Sequence, residues 1–159
     1  MTDITITGLR PQQQEIWSNL NRFNVLICHR RLGKTVLAVV WLIHEALTEK
    51  RVRPRVAYIA PTYSDSKKIA WSYVRAYTQK IPDVVYNESE LKVTFPNGAT
   101  LQLGSADNIH SVRGQYFDAV VLDEPSLMNP LFWTQSVRPA LSDRKGKAIF
   151  IGTPLGRVG

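Results

Sequence analysis

Four short aliphatic runs constrain this chain more than any other feature: Val25 to Cys28, Val56 to Ala60, Ala119 to Asp123 and Ala148 to Gly152. None shows polar alternation, and strands that read this way are covered on both faces, as in parallel sheets. Helical patterns fit before and between them, at roughly Pro11 to Leu20, Lys34 to Thr48, Ser64 to Lys80 and Pro130 to Leu141. Asn129 before Pro130 reads as a helix cap followed by proline at the first helical position. Strand and helix in alternation predict an α/β fold, a mainly parallel central sheet covered by helices on both faces. One stretch departs from that order. Glu90 to Phe95 and Ala99 to Leu103 carry period-two apolar residues around Pro96-Asn97-Gly98, which predicts a β-hairpin inserted beside the main sheet.

At 159 residues the chain can bury one sizeable core, so a single domain is expected. Lys and Arg outnumber Asp and Glu by 20 to 13, and the resulting net charge of +7 favours phosphate-bearing partners. The basic segment Lys50 to Arg55, with Arg51 and Arg53, reads either as a solvated turn or as a contact with a nucleic acid backbone. Cys28 is the sole cysteine, which excludes an internal disulfide and a zinc site of several cysteines. With no basic-then-apolar layout at MTDITITGLRPQQ, a cytosolic compartment is expected. The longest apolar run, Val36 to Ile43, is far short of the ~20 residues that cross a bilayer, so no membrane partner is expected.

The segment Cys28-His29-Arg30-Arg31-Leu32-Gly33-Lys34-Thr35 stands where a buried strand turns into an apolar helix. A bound triphosphate needs converging backbone N–H donors, a helix N-terminus, a lysine for its outer phosphates and a hydroxyl for magnesium. Gly33, Lys34 and Thr35 close that pattern, although Cys28 replaces the glycine that usually opens it. Arg30 is favoured as a bidentate phosphate clamp and Arg31 is read as peripheral.

The third run ends in adjacent carboxylates. Asp123 is positioned to hold a magnesium ion, and Glu124, projecting past the strand end, to orient and deprotonate water for in-line attack on a terminal phosphorus. The fourth run ends in Gly152-Thr153-Pro154, which puts a hydroxyl at the same sheet edge, where ligands of open parallel sheets collect. Thr153 reads equally as a sensor of the terminal phosphate or as an ordinary loop residue. A nucleoside triphosphate and Mg2+ are the expected ligands.

Taken in order, Leu9-Arg10-Pro11-Gln12-Gln13, the arginine-bearing loop to Thr35, Val121-Leu122-Asp123-Glu124 and Gly152-Thr153-Pro154 resemble the ATPase domain of the large terminase subunit of tailed bacteriophages. The resemblance implies a P-loop NTPase fold and an ATP-hydrolysing motor that drives double-stranded DNA into a procapsid. It implies Gln13 as the adenine-reading glutamine, Arg30 as the loop arginine, and Lys34 and Thr35 as phosphate and magnesium residues. It also implies Asp123 and Glu124 as the metal-binding and catalytic acids, Thr153 as the coupling residue, and Arg113 as a candidate finger reaching into a neighbouring subunit. Arg113 reads equally as a salt-bridged loop residue. Gln12 stands where family members often carry an aromatic. The family resemblance further implies a ring oligomer, a portal protein and a small terminase subunit as partners, and the cytoplasm of a bacterial host as the location. Because such proteins continue into a lid subdomain and a nuclease domain, residues 1–159 are expected to be an ATPase domain incomplete at its C-terminus, without nuclease activity. Two other readings remain: the front half of a superfamily-two helicase, and a nucleotide-binding module without turnover.

Overall fold

The computed structural model describes residues 10–13, 22–27, 33–108, 112 and 114–153. Cys28, Arg30, Arg31, Leu32 and Arg113 lie outside these, as does most of the expected helix Pro11 to Leu20, of which 11–13 are helical.

Among the described residues, seven strands form one sheet: β1 (Phe23–Ile27), β2 (Arg55–Ala60), β3 (Val85–Asn87), β4 (Lys92–Thr94), β5 (Thr100–Ser105), β6 (Ala119–Asp123) and β7 (Lys147–Gly152). Their spatial order is β1-β7-β6-β2-β5-β4-β3. The first five in this order run parallel, and β4 and β3 are antiparallel additions. The expected hairpin forms between β4 and β5, but it does not stand beside the sheet. β5 pairs in parallel with the whole of β2, from Arg55 opposite Thr100 to Ala60 opposite Ser105, so the hairpin extends the main sheet. The reason lies in its second strand, whose Leu101 and Leu103 enter the core under the neighbouring helix. The turn is closed by Gly98 at φ 87°, and Asn97 pins it by donating from Nδ2 to the Ala46 carbonyl at 3.0 Å.

Helix α1 (Lys34–Thr48) is apolar nearly all round and correspondingly buried, with Leu37, Val39, Val40, Leu42 and Ile43 shielded from solvent. Its β-branched residues are indifferent helix formers, so packing rather than propensity holds it. Together with α2 (Trp71–Thr78) it covers one sheet face, meeting Val56, Tyr58, Val121 and Ile149. Ala57, Ile59, Val120 and Leu122 point to the other face, against Phe132, Val137 and Leu141. The uniform apolarity of β2 and β6 thus conceals an ordinary alternation between two cores.

The helical stretch ending in α3 (Arg138–Ser142) begins as expected, with Asn129 Oδ1 accepting from the Leu131 N–H at 2.9 Å. It is not uniformly α-helical. Trp133–Val137 is a π-segment that ends two residues before Pro139, which has no N–H to give a carbonyl four residues back, and the wider turn accommodates that loss. A second π-segment, Ser66–Ala70, leads into α2, and Thr62 Oγ1 caps the turn before it by accepting from Asp65 N at 3.1 Å.

The expectation that β1 is covered on both faces does not hold. It forms the sheet edge among the described residues, and exposure alternates along it, with Val25 72% and Ile27 65% exposed. Leu26 packs toward Leu37 and Val40 of α1, while Phe23 on the other face meets Trp133 edge-on at 5.9 Å.

At the amino-terminal sheet edge, buried Asp118 accepts from Arg144 Nε at 3.0 Å and from the Arg55 N–H at 2.9 Å. The Arg55 and Arg144 guanidinium groups lie 4.4 and 4.3 Å from the Tyr116 ring centroid. Arg51 donates to the Arg144 carbonyl. Within the basic segment, Arg51 and Arg55 therefore hold loops together, and Lys50 and Arg53 remain on the surface. Among the described residues, no helix is long and apolar enough to cross a membrane.

Candidate functional site

Strand order assembles the site. β7 lies between β1 and β6, so the carboxyl ends of β7 and β6 deliver Thr153 and the Asp123-Glu124 pair beside the start of α1. Gly33 precedes that helix with φ 76° and ψ 47°, a left-handed turn that a side chain resists. Its carbonyl accepts from Leu37 N at 3.0 Å, which opens the helix at the residue before Lys34.

Lys34 Nζ lies 2.6 Å from Glu124 Oε1 and 2.8 Å from Asp123 Oδ1, and Thr153 Oγ1 donates to the same Glu124 oxygen at 3.0 Å. Residues separated by 90 positions in the chain are thus in direct contact. Burial works against the Lys34 charge, but the adjacent Asp123 and Glu124 carboxylates outweigh it and raise its pKa above the ordinary lysine value. Burial likewise opposes the Glu124 carboxylate. Lys34 and Thr153 outweigh it and lower the pKa.

Glu124 occupies left-handed backbone space at φ 55° and ψ 58°, uncommon for a residue with a side chain. Its N–H still bonds the Ile151 carbonyl at 2.7 Å, so the ladder to β7 holds the backbone while the left-handed bend turns the side chain out of the strand alternation. Strain of this kind, of order 1 kcal/mol, collects where geometry serves a site.

Asp123 is only 5% exposed. Its Oδ2 accepts from the Tyr58 hydroxyl, while Oδ1 faces Lys34 off the hydrogen-bonding direction and takes no directed hydrogen bond. Burial and the Asp123 charge push the Tyr58 pKa far above the ordinary phenol value. A buried carboxylate oxygen with an ion pair and no directed donor, on a residue that lines one cleft with Thr35, is a donor set suited to a hard divalent cation.

The sequence placed Gln13 at the base of a nucleotide. In the structure it is buried against the turn, with Nε2 donating to the Gly33 carbonyl at 2.9 Å and Oε1 accepting from Arg10 N at 2.7 Å. Of the residues expected at the site, Gly33, Lys34, Thr35, Asp123, Glu124, Thr153 and Gln13 are brought together, and Arg30, Arg31, Leu32 and Arg113 lie outside the described residues. Tyr58, Ile69 and Tyr73 escaped the sequence reading. Ile69 and Tyr73, on the π-segment and α2, line a cleft of about 380 Å³ opposite Gly33, Lys34, Thr35, Val36, Asp123 and Glu124. Such half-exposed apolar residues carry no sequence signal beyond helical periodicity. A smaller hollow of about 250 Å³ near Tyr63, Glu90 and Asn108 has no cation in its lining.

Residues 29–156 match the family described as terminase large subunit, T4likevirus-type, N-terminal. Large terminase subunits of Thermus phage G20c and Thermus virus P23-45 are each 40% identical over 175 aligned positions, covering 95% of this chain. The chain spans only 35% of the length of either relative. Among solved structures, the large terminase ATPase domain of Thermus phage P74-26 superposes with a TM-score of 0.77 at 25% identity, over 95% of this chain and 68% of that one. The fold is that of a P-loop NTPase, and the helicase reading gives way to the terminase one. With most of its length matched, the chain belongs to the family of terminase large subunit N-terminal domains.

Proposed function

We propose that this chain is the ATP-hydrolysing motor domain of a phage DNA-packaging terminase. The single observation that carries the reading is the convergence of Lys34, Asp123, Glu124 and Thr153 within hydrogen-bond reach beside the Gly33 turn. Family membership supports the same conclusion.

In this reading the triphosphate lies over the N-terminus of α1, where backbone N–H groups and the helix dipole favour anions. It competes with Glu124 for Lys34, because the ammonium group shared by two carboxylates is also the one that reaches the outer phosphates. Thr35 and Asp123 would hold Mg2+, and Asp123 Oδ1 fits that role because it lacks a directed hydrogen-bond donor. The ion would supply charge neutralisation across the outer phosphates. Released from Lys34, Glu124 accepts a proton from the attacking water, and Thr153, bonded to the same carboxylate oxygen, couples its position to the end of β7. Gln13 holds the Gly33 turn and stands at the base-reading position. Arg30 acts as phosphate clamp, Arg31 and Leu32 complete the loop, and Arg113 serves a neighbouring subunit. The partners are double-stranded DNA, further copies of the chain in a ring, and the portal and small subunit, in the cytoplasm of the host.

The test is Glu124→Gln in the full-length protein, with ATP binding and hydrolysis measured separately. Binding should persist while turnover falls by roughly 10²-fold or more. Wild-type turnover in this variant would remove Glu124 as the base, and undiminished nucleotide binding by Lys34→Ala would remove the site.

A further inference from the structure

Tyr58 belongs to none of the phosphate-binding motifs, yet it holds one of the side chains assigned to the cation. It pairs with Val121 in the β2–β6 register, so its ring shares a sheet face with Val121 and, two residues on, with Asp123. Leaning along the strand, the hydroxyl donates to Asp123 Oδ2. Tyr58 has no exposed surface and is packed among the residues under α1, so the ring cannot swing aside. Phenylalanine would fill this core position without a hydroxyl to desolvate. Here the hydroxyl is satisfied by a carboxylate of the site.

The direction of this bond matters. With the phenol proton on Asp123 Oδ2, the carboxylate is fixed by that oxygen and Oδ1 stays available as a ligand. We propose that Tyr58 is a positioning residue for the divalent-cation site, holding the Asp123 carboxylate and presenting Oδ1. The inference rests on the site reading given under Proposed function. Outer partners of metal ligands typically change metal affinity by 10-fold to 100-fold when lost.

The experiment compares Tyr58→Phe with wild type in the full-length protein, using a fluorescent non-hydrolysable ATP analogue. In EDTA, affinity for the analogue should stay within about twofold, since no phosphate contact is removed. The Mg2+ concentration that half-saturates the metal-dependent gain in affinity should rise roughly tenfold. A merely structural role would lower the melting temperature and leave that midpoint in place, so an unmoved midpoint overturns the proposal. Loss of binding by Lys34→Ala, alongside an unmoved Tyr58→Phe midpoint, sinks Tyr58 alone. Undiminished binding by Lys34→Ala sinks the site with it. Fluorotyrosine incorporated in a Tyr73→Phe background, which removes the other tyrosine of the cleft, gives a reading that needs no Tyr58 variant. One resonance should move when Mg2+ is added at constant analogue, and the absence of any movement refutes the assignment.

Discussion

Replacing Gly33 by alanine tests the turn on which the site is built, and its cost can be worked from the structure. At φ 76° a side chain costs about 1–2 kcal/mol. A methyl on Gly33 would also lie 2.6 Å from Gln13 Nε2 and 2.9 Å from Arg10 Nη2. Both are side-chain ends and can move, but moving Gln13 breaks its bond to the Gly33 carbonyl, worth about 0.5–1.5 kcal/mol net. Restricting the unfolded chain returns about 0.4–1 kcal/mol. The expected loss is about 1–3 kcal/mol, and each kcal/mol lowers the melting temperature by roughly 2–4 °C in a domain of this size. Gly114→Ala is the control, because its φ is 78° and a methyl there meets nothing within 4 Å. Urea unfolding should show Gly33→Ala costing about 1 kcal/mol more than the control, the share belonging to Gln13. In a Gln13→Ala background that excess should vanish. Equal losses at the two glycines would show that Gln13 does not hold the turn.

Two further outcomes are expected away from the cleft. Asp118→Ala leaves Arg144 and the Arg55 N–H without their buried acceptor and should cost about 3 kcal/mol, read as a drop of roughly 6–12 °C in the melting temperature, with nucleotide affinity unchanged. Glu45 carries a pH dependence: burial opposes its charge, but His44 and Lys147 beside it outweigh that and lower its pKa below the ordinary glutamate value of about 4.5. A depressed carboxylate pKa stabilises the fold above the unfolded-state value and loses that contribution as pH falls through the folded one. Lys147 is about half exposed, so Lys147→Gln should cost less than about 1 kcal/mol at pH 7, and chemical denaturation should show the gap to wild type closing as the pH falls below 4.5.

Much of the architecture was readable because short-range rules govern it. β6 and α1 form at the bounds their patterns imply, since a strand buried on both faces and a helix buried all round must be apolar throughout. The motif residues at the ends of β6 and β7 were readable too, because polar groups that end an apolar strand are conspicuous in the chain. Pairing partners were not. Nothing in Thr100 to Ser105 says that its neighbour is β2, or that β1 has an open face, because register and edge position depend on what the rest of the chain covers.

Lys34, Asp123, Glu124 and Thr153 are named by local chemistry. That they share one cation and one carboxylate follows from β7 lying between β1 and β6, a property of strand order. Tyr58 shows the difference most sharply. In the chain it is one more core residue of an aliphatic strand, and only the alignment of β2 with β6 brings its hydroxyl to Asp123, because a side chain's reach is set by the neighbouring strand and not by its own sequence.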